Sequence, residues 1–301
     1  MEEPHNLGPA ATSEQADIAY CYGHPDTPTK LRCSRCDKPI CPRCAVPAAV
    51  GQHCVWCVAE ARKSQPKVRT AMQANSPAVM TIIAIAIAVY VMEVLFGDDF
   101  VLRFAASPAN IAYEGEYYRL ITPIFLHAPL GTPFGILHIL FNMYILRIYG
   151  PQVEEAFDSF RFVALFLVTG FTASAVSFAF GSCATLGLGA SGAVFGIVGV
   201  LLALLYNRRD STLVADYMKT LLMFIGINLL FGLSMKGVDN FAHIGGLVSG
   251  VLLGFGFDGG RAREVPKSRQ MLVLLAITAL AVGLVAWRIS TMHDICRTFI
   301  R

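Results

Sequence analysis

The sequence predicts an all-α polytopic membrane body behind a small cysteine-rich head. Three observations carry this. Hydrophobic residues make up 55% of the 301-residue chain and charged residues only 15%, well under the roughly 25% of an ordinary soluble domain. The apolar residues after Pro77 fall into seven runs, roughly 77–96, 134–150, 160–180, 191–206, 217–234, 240–257 and 270–289, each near the ~20 residues that cross the hydrocarbon of a bilayer. Residues 1–76 are polar and hold seven of the nine cysteines. The net charge of +3 is too small to argue for nucleic acid as a partner.

In chain order, residues 1–18 lack apolar periodicity and are expected to be disordered. Residues 19–60 then bring ligand types in pairs two residues apart: Cys21 with His24, Cys33 with Cys36, Cys41 with Cys44, and Cys54 with Cys57. Eight ligands suffice for two tetrahedral zinc ions, with no open position for catalysis. A segment this short has no core of its own, so metal would supply its folding energy. His53 is an alternative to Cys54. The order of the pairs resembles B-box-like cross-braced zinc fingers. That resemblance implies Cys21, His24, Cys41 and Cys44 on one ion and Cys33, Cys36, Cys54 and Cys57 on the other.

Lys30, Arg32, Arg35, Lys38 and Arg43 make the head mildly basic. The gaps between pairs are too short for a base-reading helix and are broken by Pro39, Pro42 and Pro47. The expected partner of the head is therefore a cytosolic protein, with no nucleic acid. Residues 61–76, with Arg62, Lys63, Lys67 and Arg69, read as a basic linker to the membrane. No signal peptide is expected, because the first apolar run lies behind this polar head. Clustered thiols suit a reducing cytosol. Lys and Arg agree: thirteen flank the ends on the side of the head and six the opposite side, which predicts the N-terminus in and the C-terminus out.

In the body, the stretch Gly187 to Gly196 sets Ser191 among glycines at the start of a helix. Free backbone N–H groups there would stabilise an oxyanion. Polar groups inside a membrane are functional candidates because leaving them in lipid is costly. His138 and Asn142 are four apart, on one helix face. His243 precedes Gly246, Gly250 and Gly254, whose spacing lets one helix approach another closely. The partner expected is the helix of Gly192 and Gly196, which would bring His243 against Ser191 at matching depth. Histidine in reach of serine can act as its general base. A transporter would show internal repeats and mid-membrane carboxylates. Glu93 is the main acidic residue in a span, and it sits near an end.

Together these residues resemble the rhomboid family of intramembrane serine proteases. The match runs over 77–257 and rests on Glu116 and Arg119, His138 and Asn142, Gly189 to Gly192, and Ala242, His243, Gly246 and Gly250. The resemblance implies a six-helix core, a Ser191–His243 dyad, and an oxyanion held by His138, Asn142 and the Ser191 amide. It implies a supporting ring at Phe195, a structural pair Glu116–Arg119 and a structural corner at Gly150, Glu154 and Ser159. His127 falls on a loop histidine position. Residues 258–301 add a loop, a seventh helix and a tail, as in six-plus-one variants. The implied partners are transmembrane substrates and the bilayer, with no cofactor for the chemistry. A zinc head like that of some actinobacterial rhomboids points to a bacterial cytoplasmic membrane. Cys183 and Cys296 are both expected outside, to pair only if the fold joins them.

Overall fold

The computed structural model describes residues 19–48, 50–64, 76–132, 135–235, 237–260 and 265–300. The expectations for 1–18 and for most of the 61–76 linker lie outside them. The chain divides into two compact units, 1–68 and 69–301.

The first unit holds two antiparallel hairpins and a helix. β1 (Ala19–Cys21) pairs with β2 (His24–Thr29), β3 (Ala45–Pro47) pairs with β4 (Gln52–Cys54), and α1 (Val55–Ser64) follows. The helix runs past the boundary expected at residue 60. The buried interior is six cysteines and Ile40, with half-buried Leu31 and Ala45 packed on it. That is too little apolar surface to offset the ordering of the chain. Outside, Tyr22 and Trp56 meet edge to face at 5.3 Å, and the Lys38 ammonium lies 3.7 Å above the Tyr22 ring.

The second unit is helical. α2 (Pro77–Phe96) leads to a surface segment of α3 (Asp98–Phe104), α4 (Pro108–Tyr113) and two 3-10 turns, Tyr117–Leu120 and Thr122–Phe125. Then come α5 (Gly135–Phe157), α6 (Ser159–Phe180), α7 (Ser191–Tyr206), α8 (Thr212–Ser234), α9 (Asn240–Phe257) and α10 (Lys267–Thr291), with a 3-10 turn at Asp294–Phe299. Five of these, α2, α6, α8, α9 and α10, are long and apolar enough to cross a membrane. The other two expected spans differ for a physical reason. α5 is long but carries His138, Asn142 and Arg147, and α7 has only 16 residues. α7 is apolar all round and buries twelve of those residues, the signature of a helix enclosed by others.

Glycine sets that enclosure. A Cβ at Gly246 would sit 1.9 Å from the Gly192 carbonyl oxygen, and one at Gly250 would sit 2.0 Å from that of Gly196. α7 and α9 therefore touch backbone to backbone. Glu154 ties the opposite end: its carboxylate accepts the Ala78 and Val79 amides at 2.9 Å each and the Ser159 hydroxyl at 2.6 Å. It supplies the orphan N–H groups of α2 with acceptors. In the surface segment, buried Arg119 donates to Glu116 and to the carbonyls of Leu102 and Ala105 at 2.6 and 2.8 Å. Burial works against a charged Glu116, but the Arg119 hydrogen bond and charge, with hydrogen bonds from Tyr118 and Asn110, together outweigh it and hold the carboxyl below its usual range. Cys183 and Cys296, 113 residues apart, are joined in a disulfide.

Candidate active site

Ser191 is the first residue of α7, after Ala190 at the N-cap. The His243 ring comes from the first turn of α9, and its Nε2 lies 2.9 Å from the Ser191 hydroxyl. The α7–α9 glycine contact makes this distance reachable. Phe195, one turn along α7, stacks on the imidazole at 4.4 Å between centroids and 10° between planes. His243 Nδ1 is buried and has no hydrogen-bond partner among the described residues. Its orientation is thus held by stacking and not by a carboxylate. Asp239, four residues before it, is used elsewhere: it caps α9 through the Ala242 amide at 3.0 Å and accepts the Ser177 hydroxyl.

His138 faces the same point. A Cβ at Gly189 would lie 3.0 Å from His138 Nε2 and 3.7 Å from the Ser191 hydroxyl oxygen. Gly189 also has φ +125°, a conformation L side chains rarely adopt. The Ala128 amide donates to His138 Nδ1 at 3.3 Å, which places the ring proton of a neutral His138 on Nε2, toward the serine. Asn142 stands one turn further along α5. Its amide gives one hydrogen to the His138 carbonyl at 2.8 Å and keeps a second. The structure thus gathers Ser191, His243, Phe195, Gly189 and His138, with Asn142 on the His138 face of α5. Beside Ser191 opens a cavity of about 520 Å³ walled by Gly170, Ala173, Gly192 and Ala193 and by residues of the α6–α7 loop.

Two supports escaped the sequence reading. Glu93, 4% exposed, accepts the His127 backbone amide at 3.0 Å and fixes the loop ahead of α5. A lone carboxylate in an apolar span was the available signal. The Ser177–Asp239 bond, which joins the C-terminal end of α6 to the N-terminal end of α9, had none. His127 itself is fully buried, and its ring nitrogens have no partner among the described residues.

The head gathers its ligands in alternate pairs. The ligand atoms of Cys21, His24, Cys41 and Cys44 lie within 4.8 Å of one another, as do those of Cys33, Cys36, Cys54 and Cys57. Both sets could hold a metal ion. The fit is chemical as well as spatial. His24 Nδ1 lies 3.4 and 3.3 Å from the Cys41 and Cys44 sulfurs, and the Cys36 and Cys54 sulfurs are 3.7 Å apart. Bonds of about 2.3 Å to sulfur and 2.0–2.1 Å to nitrogen give tetrahedral edges of roughly 3.5–3.8 Å. Cys57 is pushed up to about 12, first by its hydrogen bond to Cys54 and then by the other thiols around it, so the cluster cannot ionise fully without a cation. His53 is outside both sets.

The chain is similar in sequence to known proteins. A family model of the rhomboid domain matches residues 114–258. The chain carries a rhomboid domain. Rhomboid protease GluP of Bacillus subtilis is 32% identical over 232 residues, which are 74% of this chain and 43% of that protein. RHOMBOID-like protein 1 of Arabidopsis thaliana is 39% identical over 51% of this chain and 38% of its own length. The putative rhomboid protease YdcA of Bacillus subtilis is 29% identical over 54% of this chain and 76% of its own. The chain thus spans less than half the length of the first two relatives. The rhomboid match includes α5 to α9, with Ser191, His243, His138 and Asn142, and stops before α10.

Proposed function

We propose that this protein is an intramembrane serine endopeptidase, cutting transmembrane substrates near the outer membrane face through a Ser191–His243 dyad. The observation that carries the reading is the 2.9 Å contact between Ser191 and His243 Nε2 inside a helical membrane body. Ser191 attacks the scissile carbonyl while His243 takes its proton and returns it to the leaving amine; water then hydrolyses the acyl-enzyme. The oxyanion is met by the Ser191 amide, His138 Nε2–H and the free amide hydrogen of Asn142. The substrate helix approaches past α8, which buries only Leu221, Ile225 and Gly232, and unwinds to offer its carbonyl. The N-terminus faces the cytoplasm and the C-terminus the outside of a bacterial cytoplasmic membrane. The eight head ligands hold two structural zinc ions, and the head they fold serves to contact a cytosolic protein.

The test is cleavage of a transmembrane substrate by full-length protein in liposomes, beside Ser191→Ala and His243→Ala. Each substitution is expected to lower kcat by at least about a thousandfold with folding intact. Equal cleavage by Ser191→Ala would sink the reading.

A further inference from the structure

We propose that the Cys183–Cys296 disulfide positions the loop walling the substrate cavity, so that the tail after α10 acts as a strap that sets substrate affinity. The inference rests on the protease reading but concerns residues outside the dyad. Loop 181–190 joins α6 to α7, and its far end is pinned to the surface segment. Gly187 and Ala106 exchange two backbone hydrogen bonds of 2.9 Å, and the Gly189 amide donates to the Pro123 carbonyl at 2.9 Å. Its near end is held by the Gly181 amide on the Ser177 carbonyl at 2.7 Å.

Between these pins, the hydrogen bonds shown by residues 182–185 close on themselves. Ser182 accepts from the Ala184 amide and from the Thr185 amide and hydroxyl. Yet Ser182, Thr185 and Leu186 line the same cavity as Ser191. The tip of the loop is therefore fastened to the rest of the fold by Cys183. Its partner Cys296 is 4% exposed and sits in the Asp294–Phe299 turn. That turn has its own anchor on α4: Tyr113 donates to the His293 carbonyl at 2.9 Å, and the Arg297 guanidinium lies 4.9 Å over the Tyr113 ring. Below it, Ala281 and Val285 of α10 pack with Ile111 and Phe178, and Phe178 is itself a cavity wall. The dyad stands apart from this strap, on the glycine contact between α7 and α9.

A loop that is loose in the free enzyme must be ordered by substrate, which weakens binding without touching the reacting groups. Opening the strap should therefore raise KM and leave kcat. The experiment uses full-length protein in liposomes, with Cys183→Ser, Cys296→Ser and the double variant. Substitution is preferable to a reductant, which would also reach the head thiols. Peptide mapping without reduction should recover the Cys183 and Cys296 peptides joined. The variants should show a KM about three- to tenfold higher. Their kcat and the rate of Ser191 labelling by a fluorophosphonate should stay within about twofold. Tyr113→Phe weakens the same strap without touching a cysteine and should raise KM by less. Free thiols at Cys183 and Cys296 in the unaltered protein overturn the proposal. An unchanged KM overturns it, as does a joint loss of kcat and labelling, since the bond would then only stabilise the fold. Unaltered protein that neither cleaves nor labels Ser191 would sink the protease reading, and the strap with it.

Discussion

The head and the membrane body order their polar residues by opposite means. The head has almost no apolar interior, so its buried groups are mostly thiols, which meet the less buried His24 imidazole as if around ions. The body has apolar helices in excess and organises them by removing side chains: Gly192 and Gly196 against Gly246 and Gly250. In the head, specificity lies in ligand geometry, and stability would come from the metal. In the body, specificity lies in how closely two backbones approach, and the Ser191–His243 distance follows from that. The two units should therefore fail under different insults.

The largest effect expected is on the head. Stripping metal with a strong chelator should unfold residues 19–64 outright, because structural zinc contributes about 10–16 kcal/mol in small domains. Limited proteolysis should then cut within the head, while fluorophosphonate labelling of Ser191 persists. Labelling lost in step with the metal would erase the contrast and make the head part of the active fold.

The body should break at a glycine. Gly250→Ala sets a methyl 2.0 Å from a backbone oxygen that cannot swing away. A shift of α9 from α7 should cost about 3 kcal/mol or more and abolish labelling. Gly226→Ala, on α8 where nothing lies within 4 Å, should leave labelling unchanged and add up to about 1 kcal/mol. A thermal melt read by labelling separates the two. Equal tolerance of both would remove glycine packing as the organiser.

Much of this was legible because the signals are local. Pairs of ligands two residues apart, apolar runs, and His138 with Asn142 at one-turn spacing need no knowledge of distant chain. The α7–α9 contact was legible because both helices carry glycine at four-residue intervals. Three things were not. The run expected to stop at Gly150 continues as α5 to Phe157 with Pro151 inside it, a position where the lost N–H bond is normally decisive. Glu154 caps a helix that begins 77 residues earlier in the chain, at Pro77, and no local pattern pairs them. Cys183 and Cys296 meet only because α10 returns beside α6, and periodicity says nothing about such pairings.

The smallest effect tests whether the body also relies on a charge. Arg208, just beyond α7, donates to Asp258 at the C-cap of α9 at 2.7 Å, and Asn207 adds 3.1 Å to the same oxygen. Burial opposes the charged form of Asp258, but the hydrogen bonds from Arg208, Asn207 and the Gly260 amide, with the Arg208 charge, together outweigh it, and its pKa lies below the usual carboxylate value. A depressed folded-state pKa gives stability that is present above the unfolded value, near 3.8, and lost as pH falls through the folded one. Arg208→Ala should therefore lower the melting temperature at pH 7 by an amount that shrinks below about pH 4. With Arg208 part-exposed, the loss should stay under about 1 kcal/mol. A deficit that persists unchanged in acid would assign the effect to the Arg208 bond with the Leu204 carbonyl, leaving the close glycine contact, and not this ion pair, to register the two helices.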